Sequence, residues 1–198
     1  MRLCGMLLPG NGDINGDGTV NYAMLWHDSA SDAMYSGYLL KFSDKSLPDA
    51  FKNAGVRAEC LFRREYYVAP EIIIAALTQH NKMIDVIFLN DEHAGLDIIN
   101  AVEKSGLVVG KDIYIVCVGS QDFAGFHHTF SLILDGRITG SAVCDEDCLI
   151  STIADVAVLA ARREPLDIYY AADFIKVTNK SMIKVTTYEY NHTELIIK

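Results

Sequence analysis

Short, nearly unbroken apolar runs alternate along this chain with longer stretches spaced like helices. Residues 20–26, 57–62, 84–89, 112–118 and 140–144 read as strands, several apolar enough to be buried on both faces. Between them, residues 31–54, 93–104, 123–134 and 146–163 carry helical spacing, and Pro70 suits the first turn of a helix reaching about His80. Gly106 follows the 93–104 pattern as a stop, and Asp135-Gly136 closes the 123–134 pattern. The tail from about Asp173 is strand-rich. Alternation of this kind predicts an α/β fold, a parallel sheet with helices on both faces. Such sheets bind ligands at the carboxyl ends of their strands. The predicted ends are polar: Trp26-His27-Asp28, Asn90-Asp91-Glu92 and Val118-Gly119-Ser120-Gln121-Asp122.

Ahead of the first strand lies Asp13-Ile14-Asn15-Gly16-Asp17-Gly18-Thr19-Val20-Asn21. Side-chain oxygens fall at positions 1, 3, 5 and 9 of this run, with glycine at position 6 and the Thr19 carbonyl at position 7. Hard cations take six to eight oxygen ligands, and alternate residues of a tight loop turn theirs inward. A Ca²⁺ loop is the expectation; an ordinary Asx-rich turn is the other reading. Position 12 is Met24, so this is no helix–loop–helix hand, and the last ligand must come from elsewhere.

Composition narrows the function classes. The 198 residues are 51% hydrophobic, enough for a large core, and the net charge of −9 argues against a nucleic-acid partner. No run approaches the roughly 18 apolar residues of a membrane span, and the opening residues are too short an apolar stretch for a signal peptide. Five cysteines occur; Cys60 and Cys117, inside apolar runs, are expected to be buried thiols, and the Cys144/Cys148 spacing lacks the pattern of a zinc site. Neighbouring His127 and His128 face different ways on a helix, and no nucleophile–base set or carboxylate pair can be assigned, so no catalysis is expected.

Three segments together resemble the galactose/glucose-binding proteins of bacterial ABC transporters, within the type I periplasmic-binding-protein superfamily. They are the 13–25 loop and strand, the strand Ile84-Asp85-Val86-Ile87-Phe88-Leu89 with its Asn90-Asp91-Glu92 turn, and Leu132-Ile133-Leu134-Asp135-Gly136-Arg137-Ile138-Thr139-Gly140-Ser141. The resemblance spans nearly the whole chain but only the second half of that family's sequence. It implies an α/β/α sandwich lobe, with residues 1–145 as the loop-containing C-terminal-type lobe. Residues 146–198 would be a hinge-crossing helix and strand-rich tail of the same unit. The 146–163 helix would then pack on a lobe this sequence does not include, leaving an apolar face open to self-association.

The resemblance also implies site residues. A structural Ca²⁺ would take Asp13, Asn15, Asp17, Thr19 and Asn21, with Asp85 standing where the family has a glutamate. Asp85 is one methylene shorter and would ligate through one oxygen or through water. For the solute, Asp32, Tyr67 (or its neighbour Tyr66) and Asp91 take positions resembling the family's aspartate, aromatic platform and asparagine, with His27 beside them. Departures are plain: Ser31 falls where a histidine is expected, Gly119 where an aspartate is expected, and no arginine occurs between Arg2 and Arg57. The implied function is non-catalytic capture of a small carbohydrate, galactose- or glucose-like, for an ABC permease or chemoreceptor in the cell envelope. The alternative is a degenerate or truncated member acting as an interaction or sensor module without sugar binding.

Overall fold

A computed structural model describes residues 12–26, 47–65, 70–80, 83–89, 95–118, 131–144, 146–167 and 174–178. Its strands are β1 (Val20–Trp26), β2 (Ala58–Glu65), β3 (Val86–Leu89), β4 (Tyr114–Val118), β5 (Gly140–Cys144) and β6 (Phe174–Thr178). Helix α1 spans Pro70–Gln79, α2 Gly95–Lys104 and α3 Glu146–Ala161, and shorter helical segments cover 47–53 and 131–134. They form one sheet in the order β2-β1-β3-β4-β5-β6, parallel from β2 through β5, with β6 antiparallel at the edge. The parallel α/β architecture matches the expectation, and the antiparallel last strand is new. Through β6, the segment after residue 145 contributes to the same sheet.

Buried side chains on the two faces make two cores, because successive strand residues point to opposite sides. On one face Ile87, Leu89, Ile115 and Cys117 meet α1 through Ile73 and Leu77, and α2 through Ile98, Ile99 and Val102. Ile133 and Ile138 complete that layer. On the other face Val20, Tyr22, Met24, Val86, Phe88 and Val116 pack with Leu47 and Phe51 of the 47–53 helix. There Tyr22, Phe51 and Phe88 make an aromatic cluster, with Tyr22 stacked on Phe51 and edge-on to Phe88, each pair 5.8 Å between centroids. The result is a three-layer sandwich.

Two sequence expectations change at β2. The strand runs on to Glu65, past the expected end at Phe62, because an edge strand keeps Arg63 and Arg64 in water while its backbone still pairs with β1. For the same reason Cys60 is exposed, not buried, whereas Cys117 in central β4 is buried as expected. β3 begins at Val86, two residues later than expected, although the Asp85 backbone already bonds to Asn21 and Tyr114 on either side. The expected helices over 31–54 and 123–134 are described only in their last parts, 47–53 and 131–134.

Candidate functional site

Parallel strands put all their amino ends at one edge of the sheet and all their carboxyl ends at the other. The oxygen-rich loop lies at the amino edge, immediately before β1. Its own side chains fold it. Asp13 Oδ1 accepts the Gly16 N–H at 2.7 Å and Asp13 Oδ2 the Gly18 N–H at 2.8 Å. Asn15 Oδ1 accepts the Asp17 N–H and Asp17 Oδ1 the Thr19 N–H, each at 2.9 Å, two successive Asx turns. Gly18 adopts φ +86°, the left-handed conformation that a sharp turn at the sixth position needs.

Asp85, 64 to 71 residues further along the chain, holds this loop to the sheet. It accepts the Ile14 and Asn15 N–H groups on Oδ1 at 3.1 and 3.2 Å, and the Asn21 N–H on Oδ2 at 2.7 Å. Its own N–H donates to the Asn21 carbonyl at 2.7 Å, and its carbonyl accepts the Tyr114 N–H, so β1, β3 and β4 meet at one residue. The side chain is fully buried. Burial raises its pKa above the ordinary 3.8; the three N–H donors pull it back down, and the nearby negative charge of Asp13 adds to the rise.

The loop's oxygens suit a hard cation in part. Asn15 Oδ1 and Asp17 Oδ1 each accept one N–H, and such an oxygen has two acceptor sites, leaving a lone pair for a metal. Asn21 donates through Nδ2 to Asp17 Oδ2 at 3.1 Å, which leaves its amide oxygen for the same purpose. Asp85 fits less fully: Oδ1 already takes two donors, so only Oδ2 can ligate. Among the described residues no three His, Cys, Asp or Glu side chains gather into a metal-binding group. Asp85 is buried, whereas Asn15 and Asp17 are exposed.

The opposite edge is where a solute would meet the sheet. The strand order places β1 between β2 and β3, with chain direction reversing its course across the sheet between β1 and β3, and open α/β sheets bind ligands at the carboxyl side of such a switch. β1 ends at Trp26, β2 at Glu65 and β3 at Leu89. His27, Tyr67 and Asp91 therefore follow those ends by one or two residues of chain, but they and Asp32 lie outside the described residues. His127 and His128 also lie outside them. The two edges are separated by the length of β1, about 20 Å at 3.3 Å per residue. A cation in the 13–21 loop would thus be remote from a solute at the other edge.

The sequence matches no known protein-family profile and no curated protein. Solved structures do match in fold. A glucose-galactose binding protein from Geobacillus stearothermophilus superposes with a TM-score of 0.62 at 11% identity, over 85% of this chain and 56% of that one. The fold is that of one lobe of a type I periplasmic binding protein. A myo-inositol binding protein from Caulobacter matches this lobe with a TM-score of 0.58 at 14% identity, over 86% of it and 55% of that chain. A galactofuranose binding protein gives 0.61 at 14% identity, over 91% and 60%. The lobe spans a little over half the length of these structures.

What sequence reasoning did not find is the Asp85 staple. A lone acid before an apolar strand signals nothing of the three loop N–H groups it accepts, because its partners are some 70 residues away. The family resemblance implies Asp85 as an oxygen ligand; its hydrogen bonds give the same atoms a second task.

Proposed function

We propose that this chain is the solute-binding lobe of a non-catalytic extracytoplasmic receptor for a small carbohydrate, serving an ABC permease or a chemoreceptor. The observation that carries the reading is the sheet order 2-1-3-4-5, with its switch between β1 and β3, in a fold shared with proteins named for binding glucose and galactose, myo-inositol and galactofuranose. His27, Asp32, Tyr67 and Asp91 are the residues proposed to meet the sugar, its ring against Tyr67 and its hydroxyls against the polar three. Asp13, Asn15, Asp17, the Thr19 carbonyl, Asn21 and one oxygen of Asp85 are proposed to hold a structural Ca²⁺. Bound there, the ion would neutralise the loop's carboxylates and fix the entry into β1; it would play no part in chemistry.

Thermal unfolding with a panel of hexoses, pentoses and inositols tests the first half. A ligand at 100 times its dissociation constant stabilises by about 2.7 kcal/mol, which for a chain of this size raises Tm by roughly 5–10 °C. A folded protein that no sugar stabilises would refute capture. That outcome favours the second reading, a lobe of this fold without sugar binding, which the lack of any arginine between Arg2 and Arg57 already supports. The second half is tested by the same unfolding in Ca²⁺, in Mg²⁺ and in chelator. Stabilisation by Ca²⁺ alone supports the loop site; equal stability in all three removes it.

A further inference from the structure

The loop ahead of β1 holds two successive dipeptides that can close on themselves, Asn15-Gly16 and Asp17-Gly18. In each, the glycine nitrogen can attack the carbonyl carbon of the preceding side chain, since glycine has no side chain to block the approach. All four residues are exposed, so water reaches them. A Cβ built on Gly16 or Gly18 would meet nothing within 4 Å, so the space beside both glycines is open. The carbons under attack are polarised. Asn15 Oδ1 accepts the Asp17 N–H and Asp17 Oδ1 the Thr19 N–H, each at 2.9 Å, and donors so placed stabilise the charge that gathers on the oxygen during attack. The Asn15 amide nitrogen, which must leave, donates to the Met83 carbonyl over a long 3.4 Å. The attacking nitrogens are restrained instead. The Gly16 N–H donates to Asp13 Oδ1 at 2.7 Å and the Gly18 N–H to Asp13 Oδ2 at 2.8 Å, so one carboxylate holds both. An amide must lose that proton to attack, and an adjacent negative charge opposes the loss.

We infer that Asn15 and Asp17 form a self-modification site that Asp13 holds in check. At Asn15, the Gly16 nitrogen bonds to Cγ, the Cγ–Nδ2 bond breaks, and ammonia leaves with the Gly16 proton. Water then opens the imide ring at either carbonyl, giving aspartate or isoaspartate. At Asp17, the Gly18 nitrogen bonds to Cγ and water leaves; a second water opens the ring to aspartate or isoaspartate. Both routes use water alone. Modification at residue 15 adds a negative charge to the loop, and isoaspartate at either position adds a methylene to the backbone and breaks the turn closed by that side chain. Where the loop holds Ca²⁺, as proposed above, the first change raises the charge of the ligand set and the second misplaces it.

The test is incubation of the 198-residue chain in mildly alkaline buffer with chelator, which keeps the cation proposal out of the measurement. Fragmentation mass spectrometry places each aspartate and isoaspartate, and separates residue 15 from Asn11-Gly12, the same dipeptide earlier in the sequence. Asp13→Ala releases both glycine amides. A hydrogen bond to a charged acceptor is a factor of about 10–100 in an equilibrium, so isoaspartate should accumulate at both 15 and 17 at least about tenfold faster than in wild type. Asp135-Gly136 is a clock within the same molecule. It is exposed too, but its glycine N–H donates to the Ile133 carbonyl at 3.1 Å, so its rate should not change. Asp85→Ala, confirmed as folded by circular dichroism, is the second variant. It loosens the loop at Ile14, Asn15 and Asn21 while keeping the bonds to Asp13, so its rates at 15 and 17 should rise far less than those of Asp13→Ala. Unchanged rates in Asp13→Ala overturn the inference. Slower rates do so as well, because Asp13 would then be the base that drives closure. A rise at only one of the two sites, a rise shared by Asp135-Gly136, or one matched by Asp85→Ala also overturns it.

Discussion

Asp85 offers the sharpest single test of how this lobe is held together. Asp85→Ala removes one acceptor group from three backbone donors. The Asn21 N–H is the decisive one, since Asn21 is buried and water cannot replace the lost oxygen. A buried N–H left without a partner costs about 1–3 kcal/mol, and hydrogen bonds to a charged acceptor contribute about 1.5–3 kcal/mol each. Ile14 and Asn15 are nearer the surface, so water can take over their N–H groups and their loss counts for less. Against this, burying the carboxylate is itself costly, as its raised pKa shows, and the variant relieves that cost. The N–H term wins, because the Asn21 N–H stays buried whichever side chain faces it. The net expectation is a loss of about 2–4 kcal/mol, or a fall in Tm of roughly 5–15 °C for a chain of this length. Thermal or urea unfolding in chelator is the assay, so that no bound cation contributes. A loss below about 0.5 kcal/mol would refute the staple, as it would mean the loop keeps its place without it. Acidity gives an independent check. With its folded pKa above the unfolded 3.8, the native state holds more protons in that interval. Stability due to this titration is full below the unfolded value and is lost as pH rises through the folded one. Measured in chelator, wild type should therefore gain stability relative to Asp85→Asn as pH falls toward 3.8.

Three further outcomes follow from described geometry. Gly18→Ala should cost about 1–2 kcal/mol in chemical denaturation, because φ +86° strains any L side chain although its Cβ would meet no atom within 4 Å. Ile99→Ala should cost about 2–5 kcal/mol, since Ile99 is fully buried between α2 and the sheet. Glu103→Gln should change stability by less than about 1 kcal/mol, and that little should vanish in high salt; its carboxylate pairs with Arg137 at 3.1 Å, but both side chains are a third or more exposed.

The hydrophobic rhythm of the chain made most of the sheet legible. Runs such as Val86-Ile87-Phe88-Leu89 and Tyr114-Ile115-Val116-Cys117-Val118 can be satisfied only in the centre of a parallel sheet, and both are there. Pro70 and Gly106 marked a helix start and a helix stop, for reasons confined to a single residue's backbone. Edges were harder. Arg63-Arg64-Glu65 reads as loop, because a side chain alone cannot reveal that its strand has a partner on only one side. The antiparallel pairing of β6 with β5 depends on the path of the chain after α3, which local periodicity does not encode. At the loop, ligand spacing pointed to Asp13, Asn15 and Asp17, and these do organise the turn. The hold of Asp85 on the loop stayed hidden, since it links groups far apart in sequence.

The edge strand β2 also bears on how the protein behaves when crowded. An eight-residue strand ending a sheet is a template on which an extended chain from another molecule can add. Here that growth meets obstacles set into the strand itself. Glu59, Arg63 and Arg64 stand exposed along it, so an incoming apolar segment would have to strip water from charges. Tyr22 pairs with Cys60 and Ala23 with Phe62, which leaves Leu61 as an extra residue that bends the strand midway. A straight neighbour can follow only half of such an edge. At high concentration this side of the lobe should resist fibre-like stacking, and neutralising Arg63 and Arg64 should be the quickest way to make it aggregate.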